Sequence, residues 1–145
     1  MKRRSTAVWN GTGLEGKGSL TTQSGVFQNQ PYSTKLRFQN EDGKAGTNPE
    51  ELLGAAHAGC FNMALSFQLN GAGFTADELT TTATVSIEKE PEGNDFVINA
   101  IHLDLKGRVP GISPEKFQEL AQAAKQNCPV SKAIKAPISM DAQLV

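Results

Sequence analysis

Two cysteines, Cys60 and Cys128, are the residues of this 145-residue chain whose chemistry most needs explaining. The thiolate is the nucleophile, so each cysteine is judged by what can hold a negative charge beside it. At about 100° per residue, Leu53, Ala56, Cys60, Ala64 and Phe67 share one face of a long helical pattern. Burial on such a face raises a thiol pKa and makes the sulfur inert unless a positive group compensates. The dipole of the same helix does not help. Its effect fades within the first turn, and Cys60 is the twelfth helical residue. A reactive Cys60 therefore needs a cation from elsewhere in the molecule.

Several side chains bear on that need. His57 precedes Cys60 by three residues on the same helix side and could act as its base. A lone histidine at this spacing also fits a hydrogen-bonded core residue, the preferred reading here. Arg37 is a stronger electrostatic partner, permanently charged and able to fork onto a carboxylate, although a solvated strand residue fits the position too. Cys128, directly before Pro129, occupies or adjoins a helix N-cap, where the dipole lowers a thiol pKa. Cys128 also fits a plain capping or packing residue. A disulfide-forming pair is the sharper hypothesis, but separation in sequence says nothing for or against contact. A metal site built from Cys60, Cys128, His57 and a carboxylate competes with it, without support from any CxxC, HxH or HExxH spacing. The run Gly11, Gly13, Gly16 and Gly18 lacks the lysine-serine ending of a phosphate loop, and no helical pattern follows it. It reads as a hairpin connection.

The elements that must position these residues follow from periodicity. Residues 4–9, 19–23 and 32–38 read as strands. In the third, Tyr32, Thr34, Leu36 and Phe38 face one way, opposite Ser33, Lys35 and Arg37. The spacing predicts a helix from Pro49 to Asn70, about 33 Å long. Asn48 is its N-cap, Pro49 its first residue, Glu51 the return arm of a capping box, and Glu50 a favourable charge in the first turn. Gly71 suits the left-handed position beyond its end. Strands over 80–88 and 96–109 follow, the second with Ile101, Leu103 and Leu105 on one side. Ser113 and Pro114 open a helix to about Gln126, with Phe117, Leu120, Ala121 and Ala124 on one face. A short helix from Cys128-Pro129 to about Lys135 and a strand over 137–144, with Ile138, Met140, Ala142 and Leu144 inward, complete the chain. The order β-β-β-α-β-β-α-α-β describes an α+β protein, a single domain over 1–145 with its long central helix packed on sheet.

Composition narrows the function classes. A net charge of −1 provides no global field to recruit nucleic acid. Lys2, Arg3 and Arg4 are not followed by the apolar run of a signal peptide, and no segment approaches the roughly 18 apolar residues of a membrane span. Two cysteines are too few for a secreted disulfide scaffold. A cytoplasmic location without a membrane partner is the expectation.

The helix TNPEELLGAAHAGCFNMALS and the later NCPVSKAIK resemble the osmotically inducible protein C family, thiol peroxidases related to the organic hydroperoxide resistance proteins. The resemblance extends through AVWNG, GKGSLTTQSGV and YSTKLRF over nearly the whole chain, and STKLRF with AAHAGC place it nearer the osmotically inducible branch. It implies an intertwined, two-fold homodimer with active sites at the interface. It also implies reduction of organic hydroperoxides and hydrogen peroxide by a cysteine thiolate in oxidative and osmotic stress defence. No metal, haem or flavin is implied; an external dithiol, of the dihydrolipoamide type or another, regenerates the enzyme. Residue by residue, the resemblance implies Cys60 as the peroxidatic thiol and Cys128 as the second thiol that forms a disulfide with it. Arg37 is implied as the activating arginine and Glu50 as the carboxylate holding it. The alternative is a non-enzymatic, redox-sensing or stress-response binding dimer.

Ten residues separate Glu50 from Cys60 on one helix, about 15 Å along the axis. Either Arg37 reaches between them, or Glu50 comes from a second chain. The small residues Gly54, Ala55, Ala56, Ala58 and Gly59 would let two such helices cross closely near position 55.

Overall fold

The computed structural model describes residues 1–145, and the backbone forms two compact units, Met1–Leu52 and Leu53–Val145. In the first, β1 (Ser5–Asn10), β2 (Lys17–Thr22) and β3 (Gln30–Ser33) make an antiparallel sheet in that order. The glycine-rich run is the β1–β2 hairpin connection, with Gly11 at φ 98° and the Glu15 N–H donating to Thr12 Oγ1. Gly18 lies in register between Trp9 and Tyr32, where any side chain would strike the Tyr32 ring and the Val8 carbonyl. Across it the two aromatic rings approach to 5.4 Å between centroids.

The third strand is shorter than its alternation suggests. From Thr34 to Phe38 the chain is a short helix, α1, so Arg37 stands on a helix and not on a strand. Ser33 is its N-cap: extended at φ −161° and ψ 166°, it accepts the Leu36 N–H on Oγ at 3.1 Å. The pairing register explains the stop. Ser33 pairs with Lys17, the first residue of β2, so a longer strand would have no ladder partner. A cap that satisfies backbone donors locally outweighs the side-chain alternation of residues 32–38.

Helix α2 (Pro49–Gly71) runs from the first unit into the second. Asn48 caps it, its Oδ1 accepting the Glu51 N–H at 2.8 Å. Glu51 does not close the expected reciprocal box; its carboxylate accepts the Thr47 hydroxyl at 2.7 Å. At the other end Gly71 remains helical, and Gly73, at φ 86°, is the left-handed residue. Gly73 N–H donates to the Asn70 carbonyl at 3.0 Å and Phe74 N–H to that of Leu69 at 2.9 Å, a Schellman termination.

In the second unit β4 (Glu78–Lys89) pairs antiparallel with β5 (Phe96–Arg108), and β5 pairs parallel with β6 (Ile138–Leu144). A parallel neighbour needs a crossover. Helices α3 (Pro114–Asn127) and α4 (Pro129–Ala133) supply it, α4 ending two residues sooner than the sequence suggests. The core joins Phe61, Leu65 and Leu69 of α2 to Ile101, Leu103 and Leu105 of β5 and to Phe117, Ala121 and Ala124 of α3, all fully buried. The α+β architecture, the inward residues of β5 and the apolar face of α3 are those read from the sequence; α1 is the added element. Gly107 leaves room for Phe117, whose Cζ lies 2.5 Å from where a Cβ would stand.

The buried line of α2 in this unit is Gly54, His57, Phe61, Leu65 and Leu69. The stripe inferred from periodicity is its flank: Leu53, Cys60 and Ala64 are half-buried, while Ala56 and Phe67 are exposed. Phe67, read as core, is 78% exposed. A helix this rich in alanine and glycine has apolar residues on several faces, so periodicity alone leaves its rotation open.

Candidate active site

The fold brings the two sulfurs together. Cys60 and Cys128 are free thiols with Sγ atoms 3.0 Å apart. Cys60 projects from the middle of α2, while Cys128 is at once the C-cap of α3 and the N-cap of α4. Pro129, the first residue of α4, fixes the backbone break that turns Cys128 inward. The two thiols differ in access. Cys128 is fully buried; Cys60 is half-buried and opens onto a cavity of about 400 Å³, lined also by Met63, Ala64, Phe67, Asn127 and Pro129.

The charge preference runs the other way. Burial pushes the Cys60 thiol up, and its contact with Cys128 pushes it further; the Val130 N–H opposes both. None of these groups is a cation. Burial also raises Cys128, but the Cys60 thiol, the Ser131 N–H and hydroxyl and the Val130 N–H together outweigh it and hold Cys128 below the ordinary thiol value. Within this unit, therefore, the hidden sulfur carries negative charge more readily than the accessible one.

His57 is the hydrogen-bonded core histidine of the sequence reading. It is fully buried, and its Nε2 lies 2.8 Å from Ser131 Oγ. Burial holds its pKa below the ordinary histidine value, so it is neutral near pH 7. It does not supply a charge to Cys60. No three His, Cys, Asp or Glu side chains converge as a metal-ligand set.

Arg37 and Glu50 form the second cluster, in the first unit. Arg37 Nη2 lies 2.5 Å from Glu50 Oε1, and its Nε lies 3.2 Å from both carboxylate oxygens. Glu50 is buried, at 9%, and the Arg37 side chain is about one-third exposed, at 34%. The fork is thus held on one side by its carboxylate and faces solvent on another. Beside it a cavity of about 180 Å³ is lined by Trp9, Tyr32, Thr34, Phe38 and Thr47. The four residues singled out in the sequence so fall into two pairs, Cys60 with Cys128 and Arg37 with Glu50. Ser131 was not among them. Its one sequence signal is its place three residues after Cys128, at the third position of the new helix.

The OsmC-like protein family model matches residues 41–143. The chain is 48% identical to the peroxiredoxin OsmC of Escherichia coli K12, over 98% of this chain and 96% of that one. It is 29% identical to the organic hydroperoxide resistance protein OhrB of Bacillus subtilis, over 88% of each. The crystal structure of that OhrB superposes with a TM-score of 0.72 at 26% identity, covering 98% of both chains. An OsmC-like protein from Mycoplasma pneumoniae shares the fold, with a TM-score of 0.76 at 19% identity over 100% of this chain and 98% of that one. A match of this extent, in sequence and in fold, places the chain in the OsmC-like family.

Proposed function

We propose that this protein is a thiol-dependent peroxidase that reduces organic hydroperoxides and hydrogen peroxide, with Cys60 as the attacking sulfur and Cys128 as the thiol that resolves it. The observation that carries this reading is the pairing of an accessible sulfur with a buried one at 3.0 Å, the accessible member opening on an apolar cavity. A peroxide with a greasy tail fits the Met63 and Phe67 surroundings; it has no route to a fully buried Cys128. The relatives named peroxiredoxin and organic hydroperoxide resistance protein support the same class.

In the first step Cys60 thiolate attacks the terminal peroxide oxygen. The S–O bond forms, the O–O bond breaks, and the alkoxide leaves as alcohol after taking a proton. In the second, Cys128 sulfur displaces hydroxide from the Cys60 sulfenic acid, and its proton leaves with the hydroxide as water. An external dithiol then reduces the disulfide to two thiols and is itself oxidised. The cycle requires no metal, haem or flavin.

The raised Cys60 thiol makes the first step depend on an outside cation, which we assign to Arg37 with Glu50 fixing its orientation. We further assign a homodimer. Every residue of β1 is exposed, Val8 at 49% and Trp9 at 36% among them, as are Ala55, Ala56 and Gly59 on α2. An uncovered sheet and a small-residue helix face suit a second copy of the chain.

Steady-state consumption of cumene hydroperoxide with dihydrolipoamide tests the reading. The native protein turns over and Cys60→Ser does not. Continued turnover by Cys60→Ser would exclude Cys60 as the nucleophile. A native protein that oxidises once without turning over with any dithiol would instead be a redox sensor.

A further inference from the structure

The first half of the proposed cycle does not use the preference built into the thiol pair. That preference favours charge on Cys128, the sulfur that acts second. Two features of the new helix bear on the arrangement. Ser131 is the third residue of α4, which Cys128 caps, and its hydroxyl is among the donors that lower the Cys128 thiol. The same hydroxyl is held at 2.8 Å by Nε2 of His57, which lies on α2 one turn before Cys60. His57 is fully buried, and its Nδ1 has no hydrogen-bond partner. A buried imidazole with one unsatisfied nitrogen is a costly way to hold a serine rotamer, unless that rotamer matters.

We propose that Ser131, oriented by His57, is the hydrogen-bond donor that stabilises negative charge on Cys128 sulfur while that sulfur displaces hydroxide from the Cys60 sulfenic acid. Neutral His57 carries its proton on Nε2 and donates it to Ser131 Oγ. This leaves Nδ1 as a lone pair, and the Ser131 O–H is then free to point at Cys128 Sγ. The S–S bond forms, the Cys60 S–O bond breaks, and the Cys128 proton departs with the hydroxide as water. No oxidant beyond the original peroxide is consumed. In this step Ser131 donates to the reacting sulfur, and His57 acts through it as a positioning residue. The other titratable groups of this cluster are the two thiols, and Lys132, the charge carried by α4, is exposed. Charge on Cys128 is therefore set by neutral donors. This step rests on the peroxidase reading above.

The partition of the Cys60 sulfenic acid tests the inference. The protein is treated with one equivalent of cumene hydroperoxide in the presence of dimedone, and mass spectrometry compares the dimedone adduct with the Cys60–Cys128 disulfide. The native protein closes to disulfide. In Ser131→Ala and in His57→Leu the adduct fraction rises several-fold. Ser131→Thr, which keeps the hydroxyl, and His57→Gln, which keeps a donor, restore the native partition. A purely structural role for the two residues would show no such rescue. Equal partition in Ser131→Ala and the native protein, or failure of both conservative variants to restore it, overturns the assignment. Absence of both adduct and disulfide in the native protein overturns the peroxidase reading beneath it.

Discussion

Cys128 Sγ stands 3.0 Å from Cys60 Sγ across 68 residues of chain; burial raises the more accessible Cys60 thiol, while the Ser131 and Val130 donors act to lower that of Cys128. Cys60 is the sulfur that opens onto the cavity, yet the donors around the pair favour charge on its neighbour. The two halves of a thiol peroxidase cycle ask different things of one pair of sulfurs. On the proposed cycle the immediate surroundings serve the second half, and the first needs a cation that none of the groups around Cys60 supplies.

If Arg37 supplies that cation, as proposed, it is the residue on which the first oxidation depends most. Arg37→Ala is expected to lower kcat/KM for cumene hydroperoxide by roughly 10²–10³-fold, the scale of losing a preorganised oxyanion donor. Arg37→Lys should recover little of it, because Glu50 engages both Nε and Nη2, a fork that a lysine lacks. Stopped-flow measurement of thiol loss after mixing with peroxide reads the effect. A Lys variant with native rates would show that charge alone suffices.

If the Arg37 that serves a given Cys60 belongs to a second chain, two inactive variants should complement each other. Arg37→Ala chains and Cys60→Ser chains, co-expressed in equal amounts, form mixed dimers in which one of the two sites is complete. About a quarter of native activity returns after statistical mixing. No return would place Arg37 and Cys60 of each site on the same chain.

Much of the frame that holds these sulfurs is legible in the sequence. Ile101, Leu103 and Leu105 alternate because one side of β5 faces α2 and α3, and Phe117, Leu120, Ala121 and Ala124 recur at helical spacing for the same reason. Cys128-Pro129 marks a helix boundary that no other feature nearby disputes. Three details were not legible, each for a local physical reason. The strand reading of 34–38 rested on alternation, while the Ser33 cap and the end of β2 decided for helix. Gly71 and Gly73 both suit a left-handed turn, and the choice falls on Gly73, which lets Phe74 close onto Leu69. The rotation of α2 was hidden by its many small residues, so Phe67 was placed inward although it lies at the mouth of the cavity. The approach of the two sulfurs depends on the crossover from β5 to β6, which carries no local signal.

His57 should leave a mark on stability as well as on chemistry. In the unfolded chain it titrates near the ordinary value of 6.5; in the folded chain burial holds it lower. Above that ordinary value neither state binds the proton, and stability does not depend on it. As the pH falls below, the unfolded chain binds the proton first, so stability is lost until the folded value is reached. Urea unfolding at about pH 7.5 and about pH 5.5 should show a larger loss for the native protein than for His57→Gln. Equal losses would mean that His57 titrates alike in both states.

Gly107 offers a test of the packing that supports the crossover helix. A methyl group there would press on the fully buried Phe117 ring and approach Leu79 Cδ2 at 3.3 Å. Gly107→Ala is expected to lose about 1–3 kcal/mol in denaturant unfolding, despite the better strand propensity of alanine. A neutral or stabilising result would show that the Phe117 ring can shift.

The pairing of Cys60 with Cys128 as a redox couple is tested most directly by counting thiols. One equivalent of cumene hydroperoxide is added under anaerobic conditions, free thiols are titrated in denaturant, and a non-reducing peptide map follows. The account predicts that both thiols of each chain are lost and that the Cys60 and Cys128 peptides are recovered joined. Two thiols remaining per chain, or the same loss at Cys128 in a Cys60→Ser protein, would contradict it.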